Sequence, residues 1–434
     1  MWPTVEGEQM RNVKLTALAV STVLLATMGL SACGNSGSGS ADGVTNITIW
    51  HGFTESDGDT VQALANNFNK SQSKYKVTVE QNPWNVINDK LLSSLSAGTG
   101  PDLVVTQPDT ARGYIEQGAF ADVDDFYSDA SNETSTYRKN IVNDGIVDGK
   151  HYGVPMGHAP YSVYFNKAIF DKAGIKKSDY PTTMDGLVKL AQKLTVDSDG
   201  DGTPDQYGIA FADKESGYIP TLLQGAGSDL VVNGKVALTS SVAKKTLTYW
   251  RDNVYAKKVS PSNLSYTDAQ SLFISGKAAM FYIGPWIAKT AKDKGITTGT
   301  FEFPAGSKAK VTLAASNYWY TTAQVRGNDQ KKAAVYAFMK YFNNKKNQIT
   351  WATEANYPPN RTDITTKELS DNALIAQITP YMDDAKLILG SVPTGFVDVQ
   401  SELNALGPKI STSTGDISSI LKESNDKIQA LITK

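Results

Sequence analysis

Two features carry chemistry in their residue types alone. The first is the acidic run Asp197-Ser198-Asp199-Gly200-Asp201-Gly202-Thr203-Pro204-Asp205. It places carboxylates at positions 1, 3, 5 and 9 and a glycine at 6, the opening of an EF-hand-like loop that suits a hard, oxygen-seeking cation. Asp197, Asp199, Asp201, Thr203 and Asp205 are the candidate ligands, for a structural calcium rather than a catalytic metal. Gly208 stands where the bidentate glutamate at position 12 is expected, so Asp213 or Glu215 would have to substitute. The plain alternative is an acidic, glycine-rich surface turn. The second feature is Cys33, the only cysteine in the chain, which cannot form an internal disulfide.

The surroundings of Cys33 give it a use. Arg11 and Lys14 precede an uncharged, largely apolar run from Leu15 to Leu30. That run is short for a membrane span, which needs about 20 residues. Leu30-Ser31-Ala32-Cys33 follows, then the spacer Gly34-Asn35-Ser36-Gly37-Ser38-Gly39-Ser40. This order resembles a bacterial lipobox, in which a signal peptidase cuts before the cysteine and the sulfur carries a diacylglycerol. Residues 1–32 are then expected to be a lipoprotein signal peptide and 33–43 a flexible spacer. The protein is expected at the extracellular face of the membrane, touching it through the lipid alone. Acyl chains contribute about 0.8 kcal/mol per buried CH₂, so several chains anchor where one does not.

Composition narrows the rest. With 434 residues, the chain without its leader is still too long for one compact core and suggests two lobes. Net charge is −2 with no long basic block, which gives nucleic-acid binding little support. An apolar fraction of 40% describes a globular protein rather than a disordered one.

The elements that would position a site follow from periodicity. Asn46 to Trp50 alternates like a strand, and Asp59 to Lys70 places Val61, Leu64, Ala65 and Phe68 on one helical face. A strand over 75–80, a helix over 86–97, a short strand at Leu103-Val104-Val105 and another helix continue the rhythm. It predicts a mostly parallel sheet covered by helices. His151 to Asn166, rich in Gly, Pro and aromatics, reads as a crossing between lobes. A second α/β run includes a helix over 183–194, a strand over 207–211, a helix over 241–255 and a strand over 278–283. Val311 to Thr322 reads as a return strand and Asp329 to Phe342 as an amphipathic helix. Two more helices fill the tail from Val399.

Several stretches together resemble one family, the extracellular solute-binding proteins of bacterial carbohydrate importers, of the maltose-binding type. They are Ile49-Trp50-His51-Gly52-Phe53, Ala97-Gly98-Thr99-Gly100-Pro101-Asp102-Leu103, and Tyr152-Gly153-Val154-Pro155 with Tyr164-Phe165-Asn166-Lys167. The most specific is Phe273-Ile274-Ser275-Gly276-Lys277-Ala278-Ala279-Met280 running into Gly284-Pro285-Trp286. The resemblance implies an α/β, two-lobed periplasmic-binding-protein-like fold with three interlobe crossings, expected near residues 155, 315 and 362. Lobe 1 would hold 44–157 and 316–362, and lobe 2 would hold 158–315 and 363–434. It further implies a monomer that closes on an oligosaccharide and docks on the permease subunits of an ABC importer.

A pyranose offers apolar C–H faces and a rim of hydroxyls, so its site needs aromatic platforms and planar polar groups. In open α/β sheets such a site lies beyond the strand ends. Trp286, after Gly284-Pro285, is the leading platform. Trp84 divides evenly between cleft and helix packing. His51, Phe53, Gln107 and Asp109 follow strand ends, although Asp109 could instead cap the next helix. His158 lies in the first crossing. Asn317, Tyr318 and Trp319 lie in the second and cannot all face the cleft. Arg361, in the segment resembling the third crossing, is either a ligand contact or a hinge salt bridge. Phe396 matches a region where relatives place an aromatic.

No paired-carboxylate or nucleophile–base pattern stands out, so no enzyme and no catalytic cofactor is expected. Two rivals remain at this point. A same-fold binder of a phosphorylated polyol or other anion would need convergent cations, for which only Arg361 is evident. A secreted glycoside hydrolase would need two carboxylates across the sugar.

Overall fold

Alternation decides the first strand: Ile47 and Ile49 point inward while Asn46 and Trp50 stay nearer solvent. The computed structural model describes residues 43–53, 56–387 and 389–433; Cys33, the leader before it and the spacer up to residue 42 lie outside the described residues. The strands of the two larger sheets are β1 (Thr45–His51), β2 (Tyr75–Gln81), β3 (Leu103–Thr106), β4 (Gly153–Pro160), β5 (Ser162–Asn166), β6 (Met280–Ile283), β7 (Thr298–Glu302), β8 (Thr312–Thr321) and β9 (Ala385–Lys386). The helices that matter below are α1 (Ser56–Ser71), α2 (Trp84–Ser96), α3 (Pro108–Glu116), α4 (Lys139–Asp144), α5 (Asp329–Phe342), α6 (Lys345–Ala355), α7 (Phe396–Ser411) and α8 (Ser418–Ile432).

The first sheet runs β9-β8-β3-β1-β2, with β4 also on β8. β1 pairs parallel with β2 and β3, whereas β8 runs antiparallel to β3 and β4. The second sheet, β6-β5-β7, is antiparallel throughout. The expectation of mostly parallel sheets therefore holds around β1 and for the short pairing of β8 with β9. The reason lies in the connection from β6 to β7, which carries the helix Ile287–Asp293 across to the far side of β5 and leaves β5 running against both. The expected strand over 207–211 forms only two isolated parallel bridges, Tyr207 with Ala278 and Ala210 with Phe281.

Each sheet has its own core. One face of the first sheet packs Ile47, Ile49 and Trp319 against Val61, Leu64 and Phe68 of α1 and Phe338 and Phe342 of α5. Its other face gathers Val104, Phe120, Tyr318, Tyr320 and Leu91 of α2. The second core joins Val163, Phe211, Phe281 and Tyr282 to Val399 and Leu403 of α7 and Ile428 of α8. α1 carries Asp57 and Asp59 in its first turn and Lys70 in its last, matching the helix dipole at both ends.

Three connections join the lobes, and the third runs through residues that touch both. Ile364, Leu369, Ile375 and Ile378 pack on Ala352 of α6, and Met382 lies with the first lobe. The chain reaches the second core at Leu389, just after β9 pairs with the start of β8. Residues 363–384 thus pack on α6, while Leu374 also meets the second core and Gln377 Nε2 donates to the Thr300 carbonyl of β7 at 2.8 Å. The Tyr357–Arg361 segment is fixed to the first lobe by amides. Asn360 Nδ2 donates to the Pro155 carbonyl at 2.6 Å and to Asn343 Oδ1 at 2.8 Å, and Gln348 Oε1 accepts from Asn360 N at 3.0 Å.

Candidate functional site

The carboxyl end of β1 delivers His51 and Phe53, both buried. Phe53 N donates to His51 Nδ1 at 3.2 Å, so the neutral ring carries its proton on Nε2. Burial lowers the His51 pKa to about 4, which keeps the ring neutral. Phe53 is the hub of an aromatic wall. Trp84 meets it edge-on at 5.3 Å, Trp351 lies at 5.7 Å and Tyr357 at 6.1 Å, while Trp351 and Tyr357 stack at 5.2 Å. Gly52 and Gly157 make this wall possible. A Cβ at Gly52 would come within 2.2 Å of the Trp84 ring, and one at Gly157 within 2.8 Å of Trp351 Nε1. Trp84, at the start of α2, is 38% exposed, so an indole face is offered to solvent.

The second lobe answers with Trp286. Gly284 lets the indole fold back over its own backbone, since a Cβ there would lie 2.2 Å from the ring. Trp286 Nε1 donates to Tyr266 Oη at 2.7 Å, and its ring meets Tyr161 edge-on at 5.6 Å. The half-buried indole packs against the cores of both lobes. The Tyr161 hydroxyl is pushed well above its ordinary pKa by burial and by the neighbouring Tyr266, Tyr282, Glu215 and Tyr357. Glu215 accepts from Tyr266 N at 3.3 Å, and burial raises its carboxyl. Groups of both lobes thus converge around Tyr161 and Trp286.

Asp109 sits in the first turn of α3, behind Pro108, and does not cap the helix; the N-cap position is Gln107, whose exposed side chain makes no capping bond. Asp109 Oδ1 is buried without a hydrogen-bond partner among the described residues. Burial pushes the carboxyl up to about 6, against the opposing pull of Arg112 and the backbone N–H of Leu389.

The remaining candidates separate. His158 is fully buried in the first crossing, its Nδ1 hydrogen-bonded with Ser316 Oγ at 2.6 Å and its Nε2 unpartnered among the described residues. Burial, then Arg138, lower its pKa to about 3. Asn317 is buried at the β-bulge between Asn317 and Tyr318. Tyr318 donates to the Ile141 carbonyl at 2.7 Å, and Trp319 meets Phe342 at 5.1 Å and Phe338 at 5.6 Å. Both are core residues of the first lobe, because alternation along β8 sends them to opposite packed faces. Arg361 is 2% exposed; it forms a fork with Asp363 at 2.8 Å on both arms, reaches Glu133 at 2.9 Å and donates to the Asn343 carbonyl at 3.0 Å. Its role is the salt bridge, not a ligand contact. Phe396 is buried beneath the Arg112 guanidinium at 5.5 Å.

In the acidic loop, ligand atoms of Asp197, Asp199 and Asp205 lie within 4.8 Å of one another. Asp201 and Thr203 stand outside that group, and Thr203 N donates to Asp201 Oδ1 at 2.6 Å. Neither suggested substitute joins it. Asp213 is buried, accepting from Asn263 N at 2.7 Å, Leu264 N at 2.6 Å and the Ser411 hydroxyl, while Glu215 faces Tyr266.

Sequence reasoning missed Tyr161, Tyr266, Glu215, Trp351 and Tyr357 as members of this region. Tyr161 could have been found, because it stands in the aromatic crossing segment. Trp351 could not, since a tryptophan inside an amphipathic helix reads as core.

Known proteins resemble this chain in sequence and in fold. The family model for bacterial extracellular solute-binding proteins matches residues 53–349. A binding protein of Brucella abortus (strain 2308) is 24% identical over 366 residues, covering 81% of this chain and 84% of its own. The maltotriose-binding protein of Pyrococcus abyssi is 22% identical, covering 89% and 82%. Among solved structures, the cyclic α-maltosyl-1,6-maltose binding protein of Arthrobacter globiformis superposes with a TM-score of 0.77 at 20% identity, over 90% of this chain and 99% of that one. The match of the family model over most of the chain, on a two-lobed α/β fold, places this protein among the bacterial extracellular solute-binding proteins.

Proposed function

We propose that this solute-binding protein captures a neutral oligosaccharide between its lobes and delivers it, as a lipid-anchored monomer, to the permease of an ABC importer. Membership of a binding-protein family sets aside the hydrolase reading, and binding of this kind needs no catalytic cofactor. The observation that carries the proposal is Trp286, a half-buried indole that packs against the cores of both lobes and meets Tyr161 edge-on. Flat rings suit the apolar faces of a pyranose, while His51, Asp109 and Glu215 supply hydrogen-bonding groups for its hydroxyls. The anion reading has less support. Arg361 is committed to Asp363 and Glu133, and Asp109 and Glu215 are acids. The sugars named for the Pyrococcus and Arthrobacter proteins support an α-glucan as the first class to try.

A melting-temperature screen tests this over maltotriose, maltotetraose, galacto-oligosaccharides, chitobiose and sugar phosphates. A ligand at 100 times its Kd adds about 2.7 kcal/mol of stability, so a clear upward shift with at least one neutral oligosaccharide is expected. Shifts confined to the phosphorylated compounds would overturn the reading. The same screen, run with calcium or with a chelator, examines the acidic loop. We read Asp197, Asp199 and Asp205 as holding a structural calcium, because their mutual repulsion is relieved by a cation. Chelation should lower the melting temperature, and identical curves would remove calcium from the account.

The lipid anchor rests on the residues around Cys33. Cys33→Ser is expected to move the protein from the membrane fraction to the soluble extracellular fraction and to abolish incorporation of labelled lipid. A variant that stays membrane-bound and labelled would sink the idea.

A further inference from the structure

α3 belongs to the first lobe, yet two of its side chains hold the chain where it enters the second. Arg112 Nη1 donates to the Val392 carbonyl at 3.0 Å, and its guanidinium lies 5.5 Å over the Phe396 ring. Asp109 lies one turn before Arg112 on the same helix, its carboxyl buried beside the Leu389 backbone. Leu389, Val392 and Phe396 are buried in the second core. These contacts therefore join the lobes directly, beside the crossing strand β8.

We propose that Asp109 and Arg112 form a latch through which α3 grips the Leu389–Phe396 segment, with Arg112 the positioning residue that sets how readily the cleft closes. A guanidinium fork on a carbonyl, with its flat face on an aromatic ring, has a narrow range of productive geometry. Rotation of either lobe breaks both contacts together. The latch also has an unfinished centre. Arg112 Nε is a buried donor and Asp109 Oδ1 a buried acceptor, and each lacks a partner among the described residues. A hydroxyl both donates and accepts, so one ligand hydroxyl between them would satisfy both and tie closure to occupancy. That last step rests on the oligosaccharide reading above; the latch itself does not.

The charges around it give closure a pH dependence. Asp109 faces Arg112 on its own helix, Asp144 on α4, and Tyr318 and Tyr320 on β8, and Asp144 in turn faces Lys386 on β9. Burial, then Asp109, push Asp144 up to about 7, while Lys386 and Arg112 pull the other way. Opening returns Asp109 toward water and its ordinary value. A carboxyl whose pKa is raised in the closed form favours closure fully below that ordinary value. The advantage is lost as pH rises through the raised one. Closure should be easiest near pH 4 and weaken up to pH 6 to 7, then level off.

The test uses the full chain, solubilised in detergent and free of ligand. Cys33→Ser provides the background, with spin labels at Lys70→Cys on α1 and Lys189→Cys in the second lobe, both exposed. Pulsed electron–electron distance measurements then report the fraction of molecules with the lobes close. Arg112→Met should cut that fraction about tenfold, the scale of one charge-assisted hydrogen bond. Arg112→Lys, which keeps the charge but not the fork, should fall between, and Asp109→Asn should flatten the dependence between pH 4 and 7. Distance distributions for Arg112→Met and Arg112→Lys that match the parent would overturn the latch and make this a fixed contact. Failure of the sugar reading would look different, with a silent melting screen and label distances that still respond to Arg112.

Discussion

Trp286→Ala is expected to weaken oligosaccharide binding about 5- to 150-fold, the equivalent of roughly 1–3 kcal/mol of stacking by analogy with base–aromatic pairs. The indole holds a position no other residue duplicates: Gly284 folds it over the backbone, Tyr266 fixes its N–H, and it packs against both lobes. Because it is only half-buried, ligand-free melting should move less than for a true core tryptophan. Titration calorimetry with the sugar selected by the screen, paired with melting of the ligand-free protein, separates the two effects. Full affinity with a collapsed melting temperature would return Trp286 to the core and leave the cleft without its platform.

Trp319→Ala is expected to give the opposite pair of results. This indole is fully buried in the first lobe, edge-on to Phe338 and Phe342, and its removal should cost about 3–5 kcal/mol of stability. Chemical denaturation should show the loss as a lower midpoint, while affinity measured well below the transition stays near that of the parent. A variant that melts normally but no longer binds sugar would put Trp319 in the site.

These two tryptophans mark what was legible in the sequence. Trp286 follows a strand and a Gly-Pro pair, and the structure leaves it half-buried there. Trp319 sits in a crossing strand where alternation showed that some neighbours must be buried but not which. Burial on both faces of β8 depends on α2 and α5, far away in the chain, so no local pattern can assign it. Periodicity placed β1, β2, β3 and their helices well because each is amphipathic by itself. It misjudged the second sheet because strand direction depends on where the connection lands, not on the strand. Tyr357-Pro358-Pro359 has the composition of a linker. What holds that segment is an amide network in which Asn360 donates to Asn343 and Gln348, and isolated Asn and Gln residues advertise no such role.

The pairing of β8 with β3 also governs the order in which the molecule can be assembled. Val105 finds its neighbour in Trp319, so the first lobe lacks a strand until all three strands of the second sheet have been made. Such long-range pairing is slow, since a large loop must be closed before any contact rewards it. During synthesis β1, β2 and β3 have only each other and α1 to α3, an incomplete sheet with its Val105 edge unpaired. Delay of this kind keeps a nascent chain pliable, which suits a protein that has to be threaded through a membrane before it folds. The feature that lets two lobes share one hinge thus also postpones the moment at which either becomes rigid.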